Sequence, residues 1–299
     1  MEKVVIFGIN GFTGKHFQKY IAKHNLLEDY SFVGVDKDID REIEIEHVEA
    51  DLLEPGRIRE IVERESPHYI LNFVGLFRSP DFDSLLNVNA GVSQKILDAI
   101  LRSESHVKKV LLIGSAAEYG RQDVLPVTED SATKPVSLYG LAKVVQTEYA
   151  LFYHRNYGVR VNIARPFNIL GKNLSPALSI GSFMQQIKAA SDGDKIFVGN
   201  LNTKRDFLHI EDVLDACWKI LLHGKSGEIY NVCCGESFYV NQILTHLVEK
   251  SGKSLQIRVR NEYVRKNDIA DIYGDNSKLR GDTGWAQRIG LFDSLNRMF

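Results

Sequence analysis

Tyr139 and Lys143 stand four residues apart in Tyr139-Gly-Leu-Ala-Lys143, inside a segment of helical spacing, so a phenol and an ammonium share one helix face. A phenol whose unperturbed pKa is near ~10 is a poor acid–base at neutral pH, and a neighbouring cation is expected to lower that pKa by favouring phenolate. Lys143 can also hold a ribose. Alone, the pair reads better as a surface Tyr and Lys. Ser115 adds weight, because it follows the apolar run Val110–Ile113 in Gly114-Ser115-Ala-Ala-Glu-Tyr119-Gly120. In a parallel sheet, residues just past the strand ends face the ligand crevice. There Ser115 can hydrogen-bond a substrate carbonyl or hydroxyl beside Tyr139, although a serine in such a place also caps turns.

A second group of residues points to a phosphate-bearing ligand. Gly8, Gly11 and Gly14 follow the first apolar run, in Gly8-Ile-Asn10-Gly11-Phe12-Thr13-Gly14. A strand that turns sharply into a helix there needs residues without Cβ, so that backbone N–H groups can approach a pyrophosphate at the helix N-terminus. A nucleotide-triphosphate loop is excluded twice: five residues rather than four separate Gly8 from Gly14, and His16 stands where Ser or Thr would hold magnesium. Asp36 ends the second run, where a carboxylate accepts hydrogen bonds from ribose hydroxyls and repels a 2′-phosphate, which favours NAD. Lys37 beside it would greet a 2′-phosphate, which keeps NADP open. Asp51 and Leu52, after the third strand, are placed to meet the adenine edge; a solvated loop acid is a reading of nearly equal weight.

These groups need a scaffold. The runs Val4–Phe7, Phe32–Val35, Tyr69–Phe73, Val110–Ile113 and Val161–Ala164 are continuously apolar. Between them Thr13–Asn25, Pro55–Glu65, Leu85–Leu101 and Leu138–Tyr157 carry helical spacing. Continuous runs imply strands buried on both faces, hence a parallel sheet flanked by helices. The fold class is α/β: a Rossmann-type doubly wound parallel sheet with a smaller C-terminal α/β substrate lobe. After Pro166 the rhythm breaks into Gly-, Ser- and Asn-rich loops around one helix near Phe183–Ala190. It returns at Asp206–Ile210, Glu211–His223 and Ile229–Cys233, and a last strand is expected near Leu255–Val259. Residues 1–166, with 206–234 returning to them, form the expected dinucleotide domain; 167–205 and 235–299 form the expected substrate lobe. The cleft between the two is the default ligand site.

The chain has 299 residues, 44% apolar and 25% charged, with a formal net charge of −2, which argues against a nucleic-acid or membrane-surface partner. Cys217, Cys233 and Cys234 have no C-x-x-C partner, so neither a zinc site nor a disulfide framework is expected, and a reducing cytoplasm is the simplest home. No signal peptide or apolar run of bilayer length is expected either. His209 and His246 lie in apolar settings and read as core or capping residues.

Taken in order, the Gly8/Gly11/Gly14 loop, Ser115…Tyr119-Gly120, Tyr139…Lys143 and Arg165-Pro-Phe-Asn168 resemble the extended short-chain dehydrogenase/reductase family, and the resemblance spans essentially the whole chain. It implies nucleotide-sugar chemistry with NAD or NADP. The implied cofactor contacts are Gly8, Asn10, Gly11, Phe12, Thr13, Gly14, Asp36, Lys37, Asp51, Leu52, Phe73, Val74, Gly75, Tyr139, Lys143 and Pro166. Asn72-Phe-Val-Gly75 departs from the His-Leu-Ala-Ala more usual in that family; Phe73 is expected to turn into the core. A homodimer through a four-helix bundle of Leu85–Leu101 and Leu138–Tyr157 is implied as well.

Val198-Gly-Asn-Leu201 with Arg205-Asp-Phe207 is similar to the GDP-mannose branch, its dehydratases and 4-keto-6-deoxy-mannose reductases alike. Tyr230-Asn-Val-Cys233 and Asn276-Ser-Lys-Leu…Gly284-Trp285 are similar to the reductases. The resemblance implies that Asn168, Arg205 and Arg265 approach the diphosphate–nucleoside part of a substrate and that Ser115 meets its sugar. A surface ion pair is the alternative for each arginine. The family's dehydratases carry an acid just after the catalytic Ser or Thr, whereas Ala116 and Ala117 stand here and Glu118 is expected to turn away. That leaves reduction or C4 epimerisation, and the reading taken is reduction at C4 of a GDP-4-keto-6-deoxy sugar. The alternatives are a nucleotide-sugar 4-epimerase and, from another class, a non-catalytic dinucleotide sensor or scaffold.

Overall fold

The computed structural model describes residues 1–38, 40, 43–103, 106–264 and 267–299. The first six strands are β1 (Glu2–Phe7), β2 (Tyr30–Asp36), β3 (Glu46–Glu49), β4 (Tyr69–Asn72), β5 (Lys109–Ile113) and β6 (Val161–Pro166). The short strands β7 (Asn168–Leu170), β8 (Lys195–Val198), β9 (Lys204–Arg205) and β10 (Phe207–His209) precede β11 (Ile229–Val232). The central sheet is seven-stranded in the order β11-β6-β5-β4-β1-β2-β3. Its pairings are parallel throughout. Alternation within each run serves both faces: Val4 and Ile6 of β1 enter one core, Val5 and Phe7 the other.

On one face lie α1 (Phe12–Lys23) and α7 (Ile210–His223), which pack Phe17, Ile21, Leu214 and Trp218 onto the sheet. The opposite face carries α2 (Arg57–Glu65), α4 (Val92–Arg102) and α5 (Leu138–Tyr157). Helix α5 starts where the Ser137 hydroxyl accepts the Gly140 N–H at 3.0 Å, and it stops at Gly158, whose φ of 71° a side chain would disfavour. Leu85–Leu101 is helical as expected: α3 (Phe82–Leu86), capped by the Asp81 carboxylate, runs through one wider π-helical turn at Asn87–Gly91 straight into α4. One expectation changes: Asp206–Ile210 does not add a strand to the central sheet. Phe207–His209 pairs with Asn168–Leu170 instead, because the buried Asp206 carboxylate accepts the N–H groups of Cys234 and Gly235 and pins the segment beside the strand ends.

A second core holds the C-terminal part together. It packs Phe183 and Ile187 of α6 (Ser179–Ala189) against Ile243 and Leu247 of α8 (Val240–Ser251), with Leu291 and Leu295 behind them. Strand β8 pairs with β13 (Gln256–Val259), and β9 lies between β12 (Phe238–Tyr239) and β14 (Asp271–Ile272). The loops 167–202 thus hold more regular structure than their Gly and Ser content implies, since these pairs of two to four residues are formed by distant partners. Tyr119, Val127, Phe167, Cys233 and Ile272 pack together beneath the seam.

Candidate active site

Strand β1 has β2 on one side and β4 on the other, so the direction of strand order reverses at its C-terminal end. Gly8 leaves β1 there with φ 82°, and a Cβ on it would lie 2.8 Å from the Val74 backbone nitrogen. A Cβ on Gly14 would strike the carbonyl oxygens of Gly8 and Ile9. Gly11 caps α1 with no side-chain hydrogen bond, and no acidic residue sits in the first turn. The N–H groups of Phe12, Thr13 and Gly14 therefore keep their donors and the helix its positive end for an anion. The Asn10 side-chain oxygen is buried without a partner, and it would accept from a ligand hydroxyl. This cradle fits a dinucleotide diphosphate.

Farther out, the Asp36 carboxylate accepts the backbone N–H of Asn10 at 2.9 Å and that of Lys37 at 2.8 Å. Each oxygen keeps a lone pair for ribose hydroxyls. The Lys37 ammonium is not directed at Asp36 but pairs with Asp51 at 2.9 Å, and that hydrogen bond holds the Asp51 carboxyl below its ordinary range. A cavity of about 430 Å³ opens here between Lys37, Asp38, Asp51, Glu54 and Arg57. The Leu52 side chain turns into the core and leaves only its backbone to the adenine side.

From β4 the chain runs over the cradle. The Phe73 ring turns inward and meets the Phe17 ring edge-on at 5.4 Å. Val74 is half-buried, and Gly75 brings the backbone so close to α5 that an added Cβ would lie 3.8 Å from the Lys143 amine. Asn89, which the sequence reading missed, fixes this stretch: its side chain accepts the Leu76 N–H at 3.2 Å and donates to the Leu76 carbonyl at 2.9 Å. The signal available was a pair of asparagines, Asn87 and Asn89, in an otherwise apolar helical pattern.

Ser115 and Tyr139 come together from β5 and α5, and Lys143 lies with its amine 5.9 Å from the Tyr139 ring centre. A Cβ on Gly140 would lie 2.5 Å from the Ala117 carbonyl oxygen, which shows how closely helix and turn approach. The Ser115 hydroxyl caps the turn by accepting the Ala117 N–H at 3.1 Å, and it is close enough to Tyr139 to favour the phenolate against burial. The Phe77 ring stands edge-on to the Tyr139 ring at 5.2 Å and is largely exposed, as a wall of the cleft would be.

The electrostatics correct one expectation. Lys143 does not acidify Tyr139 in this arrangement. Its amine donates instead to the Ile113 carbonyl at 2.7 Å and the Gln146 side chain at 2.9 Å. Loss of water in the cleft pushes the Tyr139 phenol up to about 12, with the Ser115 hydroxyl working against that rise. Burial likewise brings the Lys143 ammonium down to about 8, opposed by the negative charge of Glu118. Tyr139 is thus a neutral proton donor at neutral pH.

On the other side of the cleft, Pro166 is buried at the end of β6 and Asn168 is exposed, its side chain donating to the Asp206 carbonyl at 2.8 Å. Arg205 is half-buried; its guanidinium pairs with Asp268 at 2.8 Å and donates to the Ile269 carbonyl at 2.6 Å. Arg265 lies outside the described residues. His209 caps α7 by accepting the Glu211 N–H at 3.2 Å, and His246 bonds Asn296 at 3.0 Å. Among the described residues no group of His, Cys, Asp or Glu is arranged to hold a metal ion.

A sheet of this order with Ser, Tyr and Lys at its crevice defines a dinucleotide-dependent oxidoreductase of the extended short-chain dehydrogenase/reductase type, and the chain is an enzyme of that class. It belongs to the NAD dependent epimerase/dehydratase family, whose model matches residues 4–233. The chain is similar to the GDP-6-deoxy-D-mannose reductase of Pseudomonas aeruginosa, 27% identical over 98% of this chain and 95% of the relative. It is also similar to the GDP-6-deoxy-D-talose 4-dehydrogenase of Aggregatibacter actinomycetemcomitans, 26% identical over 93% and 90%. Among solved structures, that of RMD from Pseudomonas aeruginosa complexed with NADPH superposes with a TM-score of 0.85 at 25% identity, covering 100% of this chain and 97% of the other.

Proposed function

We propose that the enzyme reduces the C4 keto group of a GDP-4-keto-6-deoxy sugar. The observation that carries this reading is a Tyr139 phenol kept neutral by burial beside Ser115, on a turn whose next residues, Ala116 and Ala117, offer no base. A dehydratase needs a base beside C5 within hydrogen-bond reach. Glu118 is the nearest carboxylate along the turn, and it is fully buried against Arg165. Reduction instead needs a proton donor, which a phenol of raised pKa supplies. The end-to-end similarity to the GDP-6-deoxy-D-mannose reductase supports the same reading.

In this mechanism the Tyr139 hydroxyl donates its proton to the oxygen of C4 as negative charge develops there, while Ser115 stabilises that charge by hydrogen bonding. Lys143 orients the ribose and stabilises Tyr139 once it has lost its proton. Gly8 to Gly14 hold the diphosphate and Asp36 the adenosine ribose, whose hydroxyls its free lone pairs match; NADH is therefore favoured over NADPH. When bound, the reduced nicotinamide supplies the hydride. Asn168 and Arg205 face the diphosphate of the sugar nucleotide, with Asp268 fixing the Arg205 fork. Residues 1–166 and 206–234 serve the dinucleotide, and 167–205 and 235–299 the sugar nucleotide. Leu138, Leu141, Tyr149 and Phe152 leave exposed apolar surface along α5, which suits a homodimer pairing α4 and α5 across a two-fold axis. A cytoplasmic site of action fits the three free thiols.

The test incubates the protein with GDP-4-keto-6-deoxy-mannose and each reduced cofactor. Oxidation of the cofactor with formation of a GDP-6-deoxyhexose is expected. Tyr139→Phe should lower kcat by about a thousandfold without loss of cofactor binding. Interconversion of UDP-sugars with no net cofactor consumption would replace this reading by the 4-epimerase one.

A further inference from the structure

Glu118 has no part in the mechanism above, yet it is fully buried within a few residues of Ser115. Its carboxylate joins three elements. One oxygen accepts the Ser115 N–H at 2.8 Å, from the turn that ends β5. The other accepts the Thr147 hydroxyl of α5 at 2.8 Å and pairs with Arg165 of β6, at 2.9 Å from Nε and 2.7 Å from Nη2. Thr147 lies one helical turn beyond Lys143, on the helix that carries Tyr139. Behind the pair, the Arg165 guanidinium rests 4.7 Å from the Tyr119 ring centre, and the Tyr119 hydroxyl bonds Asn231 at 2.7 Å. The backbone makes room for this: a Cβ on Gly114 would lie 2.6 Å from the carboxylate.

We propose that Glu118 is a positioning residue, whose Arg165-anchored carboxylate fixes the Ser115 turn against helix α5 and so sets the placement of Ser115 relative to Tyr139 and Lys143. Ser115 and Tyr139 lie on separate elements, and the approach of their side chains depends on how those elements dock. A displacement of about 1 Å in such a pair costs on the order of a hundredfold in rate. Glu118 has a second, electrostatic consequence: its negative charge favours the ammonium of Lys143 and the neutral form of Tyr139.

The inference rests on the Ser115–Tyr139–Lys143 chemistry of the proposed function but not on which sugar nucleotide turns over. The double variant Glu118→Leu/Arg165→Met removes both charges together, an exchange that buried pairs often tolerate without loss of stability. It should melt near the wild-type temperature and bind cofactor as wild type does, with KM within roughly threefold and kcat lower by about a hundredfold. A folded double variant with kcat within roughly threefold of wild type overturns the proposal. Should the double variant not fold, Thr147 decides: Thr147→Val should lower kcat by about tenfold at unchanged KM, and Thr147→Ser should restore it. Equal kcat in the two Thr147 variants overturns the proposal. If the wild type epimerises UDP-glucose instead of reducing the keto sugar, the reductase reading fails and the same ratios are read in that reaction. Amide exchange across residues 113–120 in the cofactor-bound protein needs no sugar at all: it should be faster in Thr147→Val than in Thr147→Ser, and equal rates count against the proposal.

Discussion

The two sides of the cleft are built in different ways. On the cofactor side the groups that would meet the ligand are mostly the backbone N–H donors of Phe12, Thr13 and Gly14, at the end of a loop from Gly8 to Gly14 shaped by what its glycines lack. On the side proposed for the sugar nucleotide they are polar side chains, and both of those described are engaged by a distant residue: Arg205 by Asp268, Asn168 by Asp206. A backbone cradle is rigid and local, and it tolerates almost no added atom. A fork of paired side chains is adjustable, and a relative can change its ligand by changing one partner. On the proposed assignment, the dinucleotide cradle is written into a short loop, whereas the sugar-nucleotide contacts are distributed over segments 38 and 63 residues apart.

Four changes press on that contrast. Gly14→Ala should have the largest effect, since the new Cβ meets two carbonyl oxygens. Calorimetry should show cofactor affinity down by more than about a hundredfold, with nucleotide-sugar affinity nearly kept. Retained cofactor binding would break the contrast at its root. Next is acidity at the seam. His209 is 4% exposed, and burial lowers its pKa from 6.5 to about 4. The unfolded chain takes up this proton near pH 6.5 and the folded one only near pH 4. Stability should therefore fall with decreasing pH across that window, by about 3 kcal/mol in total. Thermal melts of His209→Asn, which keeps a capping oxygen but cannot titrate, should lose that part of the acid slope.

Arg205→Lys should raise KM for the sugar nucleotide by about tenfold and leave cofactor affinity alone, because an ammonium cannot replace a planar fork held by Asp268. Equal loss on both sides would mean that the two halves are coupled through this residue. The smallest effect is expected from Asp51→Asn. It releases the Lys37 ammonium from its 2.9 Å pair, so the ratio of kcat/KM for NADPH to that for NADH should rise by roughly threefold. An unchanged ratio would leave Asp36 as the sole determinant.

The glycine spacing, the continuous apolar runs and the Tyr139/Lys143 pair were legible because each depends on residues close together in the chain. The wider turn at Asn87–Gly91 was not, since the apolar rhythm runs on through it, and the Asn89 side chain that turn carries finds its partner at Leu76, in a loop thirteen residues earlier. Nor was the direction of the Tyr139 pKa: four-residue spacing puts the ammonium near the ring, but the Ile113 carbonyl that draws the amine away belongs to another strand. Glu118 could be seen to differ from an acid placed for catalysis, but its partners Thr147 and Arg165 lie 29 and 47 residues distant.

By itself the sequence determined the kind of sheet and put forward the glycine cradle and the Ser115, Tyr139 and Lys143 group proposed for catalysis, because hydrophobic periodicity and glycine sterics act over one or two turns of chain. Tertiary structure alone decided which charges are paired, which are shielded from water and which remain available to a ligand. Those properties depend on distances across the fold, and the free energy of a charge follows its surroundings rather than its neighbours in sequence.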